Sequence, residues 1–166
     1  MQSKDLLTAG LQTSMGLVLP MLEDLRDSKL VAPTSAGGNH PWWIAGHLAY
    51  SEGHVLWDMM RGEPNPHAEW KALFAGGTQP DAEGAGYPDY EEILSKYQAL
   101  REQTYALLAS LSEDDLDQEA KNVPEDRKVF FGTYRQCFFA ITLHGMMHRG
   151  QLADVRRVLG RDVMMA

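Results

Sequence analysis

Cysteine is almost absent from this sequence. Cys137 is the only one among the 166 residues, so the chain cannot form an intramolecular disulfide. The first ten residues, MQSKDLLTAG, also lack the basic and apolar regions of a secretory signal peptide. Together these absences favour a protein of a reducing compartment, and we expect it in the cytoplasm.

Long apolar runs and basic clusters are missing as well. No uninterrupted apolar stretch approaches the roughly 20 residues that a helix needs to cross a bilayer, so we expect no membrane association. Lys and Arg number 15 against 23 Asp and Glu, which gives a formal net charge of −8. Because this charge would be repelled by a phosphate backbone, we expect no nucleic-acid partner.

The remaining composition is typical of a folded protein. Hydrophobic residues make up 44% of the chain and charged residues 23%, proportions that fit neither a disordered nor a fibrous chain. A chain of 166 residues is long enough to bury a core and is of ordinary length for one folding unit. We therefore expect a single domain over residues 1–166.

Helical spacing dominates the N-terminal half of the chain. A first helix is predicted over about residues 4–28, with Pro20 bending it rather than ending it. Its apolar residues recur at steps of three and four: Leu7, Leu11, Met15, Val18, Leu22 and Leu25. A second helix is predicted from about Trp42 to Arg61, with Asn39 before Pro41 marking its start.

Two further helices are predicted in the C-terminal half. Asp89 is a good N-cap for a helix that ends near Leu111, and Thr133 with Gln136 forms a capping box for one that runs to about Leu159. Residues 62–88 are rich in Gly and Pro and contain at most one short helix, around HAEWKALF.

The four helices predict an all-α fold, a four-helix bundle. The long connection between helices 2 and 3 can cross the bundle, so that these helices run parallel in an up-down-down-up order. A hairpin with a decorated loop is the alternative.

Two histidines stand out in LHGMMHRGQL, residues 143–152. Residues four apart share a helix face, so His144 and His148 point the same way. They belong to a stripe that we expect to face the bundle interior: Thr133, Cys137, Ala140, His144, His148, Gln151 and Val155. Burying two unpaired imidazoles is costly, and a divalent ion held by both would offset that cost, with a third ligand from elsewhere.

Helix 2 offers two candidates for the third ligand. His47 and His54 are seven residues apart, about 10 Å along a helix, so only one can join the pair on helix 4. The spacing itself leaves the choice open. It does argue against a zinc protease of the H-E-x-x-H type, because the position of the essential Glu is occupied by Gly145.

The stretches GHLAYSEGH and HGMMHRGQLADVRRVLG, with a long loop between them and the turn LSEDDLD, resemble the DinB/YfiT-like superfamily of metal-binding four-helix bundles. The resemblance covers essentially the whole chain. It implies a mononuclear site made by His47, His144 and His148, with nickel or zinc as the ion and water or substrate completing the shell. His47 is preferred over His54 because it stands between Gly46 and Leu48-Ala49, as the family's helix 2 ligand does.

The resemblance also implies a homodimer and a small-molecule substrate. Several members of the family use low-molecular-weight thiols in isomerases and S-transferases. We therefore expect a metal-dependent enzyme, either a thiol-dependent S-transferase or a hydrolase that acts on a small electrophile. The alternative is a non-catalytic, metal-stabilised bundle that acts through dimerisation or small-molecule binding.

Several polar residues remain open between two roles. Gln151 either supports a ligand by a hydrogen bond or packs as a helix-to-helix amide. Tyr50, Glu52 and Asp58 are conceivable acid or base groups. A fourth ligand from His54 or Asp58 would favour the non-catalytic alternative, because structural sites are usually closed by protein ligands.

Overall fold

The computed structural model describes residues 2–35 and 37–164 of the chain. Within these residues the structure is helical, with one isolated antiparallel bridge between Glu119 and Thr133 and no strand. The α-helices are α1 (Ser3–Asp24), α2 (Pro41–Gly53), α3 (Lys71–Phe74), α4 (Tyr90–Ser110), α5 (Lys128–Phe131) and α6 (Tyr134–Val158). The four long ones form the predicted four-helix bundle, and α3 lies in the long connection where a short helix was expected.

The helix starts show which predicted caps are used. Asp89 accepts a hydrogen bond from the Glu91 backbone, and Thr133 forms the predicted capping box with Gln136. The predicted start of α2 at Asn39 is wrong. His40 is the N-cap, because its side chain accepts from the backbone N–H of Trp43.

Helix 2 also differs from a regular helix at its far end. From His54 to Met60 it continues as a π-helix, with a wider turn than α2. The pattern of apolar residues does not reveal this change, because apolar residues recur at nearly the same intervals in a π-helical segment as in an α-helix. The π-helix begins at His54, the residue that the sequence analysis weighed against His47 as the third metal ligand.

Contacts between helices define their directions. Along α1 and α6, and along α2 and α4, contacting residue numbers rise together, so both pairs are parallel. The contacts that show this are Gly10 with Thr142, Asp24 with Arg156, Trp42 with Tyr90, and Glu52 with Arg101. The helices thus follow one another up, down, down and up, with residues 61–89 crossing the bundle.

The core has two parts, one towards each end of the bundle. One surrounds Ile44, Phe74 and Tyr97, and the other surrounds Leu11, Leu56 and Phe138. None of the described helices is both long and apolar enough to cross a membrane. The residues that could carry chemistry lie between α2 and α6, which run antiparallel because Trp43 faces His148 while His47 faces His144.

Candidate metal centre

Three histidines converge between α2 and α6. The Nε2 atom of His144 lies 3.0 Å from Nε2 of His47 and 3.1 Å from Nε2 of His148. The three ring centroids form an almost equilateral triangle with sides of 4.7 to 5.0 Å. In the part of the chain that the structure describes, this is the one group of three or more His, Cys, Asp or Glu residues close enough to hold a metal ion.

The orientation of His47 is determined by the long connection. Its Nδ1 lies 2.7 Å from the carbonyl oxygen of Phe74, at the end of α3. Because a carbonyl only accepts, Nδ1 carries the proton of the neutral ring and Nε2 is left with its lone pair. Trp43 stacks on the ring at 4.4 Å and donates its indole N–H to the Leu73 carbonyl, which ties the same segment to α2.

Gln151 determines the orientation of His148. Its Oε1 lies 2.9 Å from Nδ1 of His148, so this ring also directs an unprotonated Nε2 toward the centre of the triangle. Of the two roles open for Gln151, the structure shows the hydrogen bond to a histidine. In both His47 and His148, a hydrogen-bond acceptor therefore holds Nδ1–H and leaves the lone pair of Nε2 available to a metal ion.

Burial keeps the three imidazoles neutral. It lowers the pKa of His47 to about 4 and that of His144 to about 3, and it also lowers the pKa of His148. Their mutual proximity acts in the same direction on His47 and His144. All three imidazoles are therefore neutral at neutral pH, which is the form in which a histidine binds a metal ion.

The chemistry of the donors fits a divalent ion. Imidazole nitrogens bound to one zinc ion at about 2.0–2.1 Å lie roughly 2.8–3.4 Å apart at coordination angles of about 90–109°. The two Nε2 separations from His144, 3.0 and 3.1 Å, fall in that range. In addition, His144 has one Nε2 proton at most to share between two facing lone pairs, so the protein alone leaves this buried group poorly satisfied.

His54 and Asp58 do not join the triangle. Nδ1 of His54 lies 3.0 Å from Oδ2 of Asp58, one turn further along the π-helix. Both side chains are therefore engaged with each other. Within the described residues no fourth protein ligand closes the site.

The triangle opens into a cavity of about 700 Å³ between α2, α6 and the two connections that flank them. His47 and His144 form part of its wall, together with Tyr50, Ser51 and His54 from helix 2. The rest of the lining is mainly apolar. A volume of this size is typical of sites that bind small molecules.

Other sequence-based expectations need correction. Glu52 is not available as an acid or base, because it is buried against α4 and accepts hydrogen bonds from Arg101 and Thr104. The interior stripe of α6 is rotated by about one residue from the predicted one. Its buried members are Tyr134, Cys137, Phe138, Ile141, Gly145, His148, Leu152, Val155 and Arg156. His144 therefore lies at the edge of the buried face, facing the cavity.

Gly145 explains this rotation. A Cβ atom on Gly145 would lie 2.2 Å from Oγ of Ser14 on α1, so a side chain here would separate the two helices. The position that carries Glu in H-E-x-x-H proteins is thus a helix contact in this chain. Two further contributors could not be found from the sequence: the Phe74 carbonyl, and the cations Lys71 and Arg127, which line the cavity. All of them lie in the connections between the long helices, whose path the sequence does not predict.

This chain is similar to one protein family and to a solved structure of the same fold. The family model of the DinB superfamily matches residues 11–152. No match was found among curated proteins. A solved structure, YfiT from Bacillus subtilis, matches with a TM-score of 0.67 at 19% sequence identity and covers 96% of this chain and 89% of that one. It is described as a probable metal-dependent hydrolase with an unusual four-helix bundle topology, and the likeness to this chain is one of fold.

Proposed function

Because this chain belongs to the DinB superfamily, and because three neutral imidazoles meet at the wall of its cavity, we propose that it is a divalent-metal-dependent hydrolase of small electrophilic molecules. The observation that carries the proposal is that His47, His144 and His148 converge with no fourth protein ligand among the described residues. An exchangeable position is what distinguishes a catalytic from a structural site. The description of YfiT as a probable metal-dependent hydrolase supports the same reaction class.

The residues of this chain have separate tasks in the proposed reaction. His47, His144 and His148 would hold the ion, while the Phe74 carbonyl and Gln151 keep two of the rings in the binding tautomer. A bound divalent ion would lower the pKa of a water molecule or a thiol and so supply a nucleophile near neutral pH. The apolar wall of the cavity would hold the substrate and limit the access of bulk water.

Hydrolysis requires no further reactant. The oxygen of water bonds to the electrophilic carbon of the substrate, the bond to the leaving group breaks, and a proton from water passes to that group. We propose nickel or zinc as the ion, since imidazole suits both.

Thiol-dependent S-transfer is the second candidate. A cavity of about 700 Å³ has room for a small thiol beside a small electrophile, and a thiol would then replace water as the nucleophile. In that reaction sulfur bonds to the electrophilic carbon and the thiol proton leaves with the displaced group.

One experiment separates the two reactions. Protein loaded with nickel or zinc is tested on a panel of p-nitrophenyl esters, and on 1-chloro-2,4-dinitrobenzene with and without a low-molecular-weight thiol. The proposal predicts ester hydrolysis that is lost on chelation and in His144→Ala and is restored in the parent by adding the ion. Thiol consumption with the same metal dependence would identify S-transfer instead. Turnover that survives both chelation and His144→Ala would refute a metal-dependent enzyme.

We also propose a homodimer, which the exposed apolar side of α5 and α6 supports. Phe139, Leu143 and Met147 follow one another at steps of four and are 53%, 49% and 67% exposed. Phe130, which lines the same cavity as Leu143 and Met147, is 67% exposed. Contiguous apolar surface of this kind is typical of an interface. Light scattering after gel filtration should give twice the chain mass for the parent and the chain mass for Phe139→Glu. A monomeric parent would refute the dimer.

A further inference from the structure

The cavity beside the three histidines has an unusual charge for this chain. The protein has 23 acidic and 15 basic residues, yet among the residues that the structure describes no Asp or Glu lines the cavity, while Lys71 and Arg127 do. In a chain of net charge −8, a cavity whose permanent charges are both positive is the opposite of what the composition gives on average. The lining therefore differs from the rest of the surface in the sign of its charge.

These two cations are not engaged elsewhere in the described structure. Glu69 and Glu125, each two residues before one of them in sequence, pair instead with Lys96 and Lys128. Neither Lys71 nor Arg127 forms an ion pair or a side-chain hydrogen bond with another described residue. Asp58, the acidic group of the nearby π-helix, is held by His54.

The position of the cations defines where a charged group would lie. Lys71 begins α3 in the long connection, and Arg127 ends the turn Glu125–Arg127 before α5. Lys71 and Arg127 are both exposed, so their charges lie at the mouth of the cavity rather than in its interior. Most of the remaining wall is apolar, with Val55, Met59 and Ile141 among its residues.

From this arrangement we infer that the ligand of the cavity is an amphipathic anion, with a carboxylate or phosphate held by Lys71 and Arg127 and an apolar body that contacts the wall beside His47 and His144. Charge complementarity at the mouth selects the anion, and burial of apolar surface supplies affinity. This inference names the substrate class of the proposed hydrolase, and it rests on that function only for the reaction, since binding can be measured by itself.

A series of ligands with one body and different head groups tests the inference. Isothermal titration is run with 6-phenylhexanoate, 6-phenylhexyl phosphate, 6-phenylhexan-1-ol and 6-phenylhexan-1-amine. We expect at least one of the two anions to bind about fivefold or more tightly than the alcohol, and the amine to bind least. Comparison of the carboxylate with the phosphate identifies which anion the mouth prefers.

Two double variants show whether the named cations are responsible. In K71M/R127M the preference for anions over the alcohol should disappear while the alcohol binds as before. The control K121M/R157M changes the net charge by the same amount at exposed residues that do not line the cavity, and it should keep the preference. An anion preference that persists in K71M/R127M, or equal binding of all four head groups in the parent, would overturn the inference.

The same titrations separate this inference from the metal proposal. They are repeated with metal-free parent protein and with His148→Ala, in which an anion cannot be held by an ion at the histidines. The preference should remain in both samples. A preference seen only in metal-loaded protein and insensitive to K71M/R127M would overturn the role of the two cations and leave the metal proposal standing.

Discussion

At the scale of single residues, the candidate site depends on two acceptor atoms that hold imidazole protons. Spacing in the sequence was sufficient to place His144 and His148 on one helix face, and it identified Gln151 as a residue near them. It could not decide between His47 and His54, which the resemblance to a family did. Nor could it find the Phe74 carbonyl, because every residue has a backbone carbonyl and only the fold selects one.

Replacing Gln151 should weaken metal binding without removing a ligand. In Gln151→Leu, Nδ1–H of His148 loses its acceptor, and the ring is no longer held with Nε2 toward the other histidines. Loss of such a supporting contact typically costs about 10–100-fold in metal affinity. Competition with a chromophoric chelator measures the affinity, and Gln151→Glu, which keeps an acceptor, is the control. Unchanged affinity in Gln151→Leu would show that His148 is oriented by other contacts.

Cys137 should be inert in the native protein. Burial raises the pKa of its thiol to about 12, and its Sγ donates to the Phe131 carbonyl. Because the thiolate is the reactive form, raising the pKa from about 8.5 reduces the reactive fraction at pH 8 by roughly a thousandfold or more. A disulfide reagent such as DTNB should label the protein rapidly in guanidinium and very slowly without it. Rapid labelling of native protein at pH 8 would contradict the buried position.

At the scale of elements, the periodicity of apolar residues predicted the four long helices and the short one in the connection. It could not predict the π-helix from His54 to Met60, because widening a turn changes hydrogen bonding and not residue type. The rotation of the buried face of α6 was missed for a related reason. It follows from the approach of Ser14 to Gly145, a tertiary contact between helices that are distant in sequence.

The contact of α2 with the long connection should be sensitive to one added methyl group. A Cβ on Gly46 would lie 2.6 Å from the ring of the fully buried Phe74, whose carbonyl holds His47. We expect Gly46→Ala to lower the free energy of unfolding by about 1–3 kcal/mol, the usual cost of overpacking, and to weaken metal binding as well. Urea unfolding of metal-free protein and the chelator competition measure the two effects.

The control for this change is Gly16→Ala on α1. A Cβ there meets nothing within 4 Å, and alanine in a helix interior should stabilise by about 0.5–1 kcal/mol. If Gly46→Ala lost stability but bound metal like the parent, the position of His47 would not depend on the Phe74 segment.

At the scale of the whole molecule, a buried ion pair joins three helices. Arg101 on α4 donates to Glu52 on α2 at 2.8–3.1 Å and to the Leu11 carbonyl on α1 at 2.9 Å, and it is 1% exposed. Burial opposes the charge of Arg101, but the carboxylate of Glu52 keeps its pKa above the ordinary value. This pair could not be predicted from the sequence, because neither residue has a distinctive neighbour.

Replacing one residue of this ion pair should lower the free energy of unfolding more than replacing both. Arg101→Met leaves the Glu52 carboxylate buried without its counterion, which typically costs about 3–5 kcal/mol. The double variant Glu52→Met/Arg101→Met removes both charges and should recover much of that loss. Urea unfolding of the parent, the two single variants and the double variant completes the cycle. A loss below about 1 kcal/mol in Arg101→Met would mean that water reaches Glu52.

Whether α2 and α6 together hold one divalent ion can be measured by elemental analysis. Protein purified without an affinity tag is incubated with nickel or zinc, freed of excess ion and compared with His47→Ala, His148→Ala and the control His54→Ala. We expect about one ion per chain in the parent and in His54→Ala, and loss of the ion in the other two variants. A parent that retains no ion, or retention in His47→Ala and His148→Ala equal to the parent, would contradict this expectation.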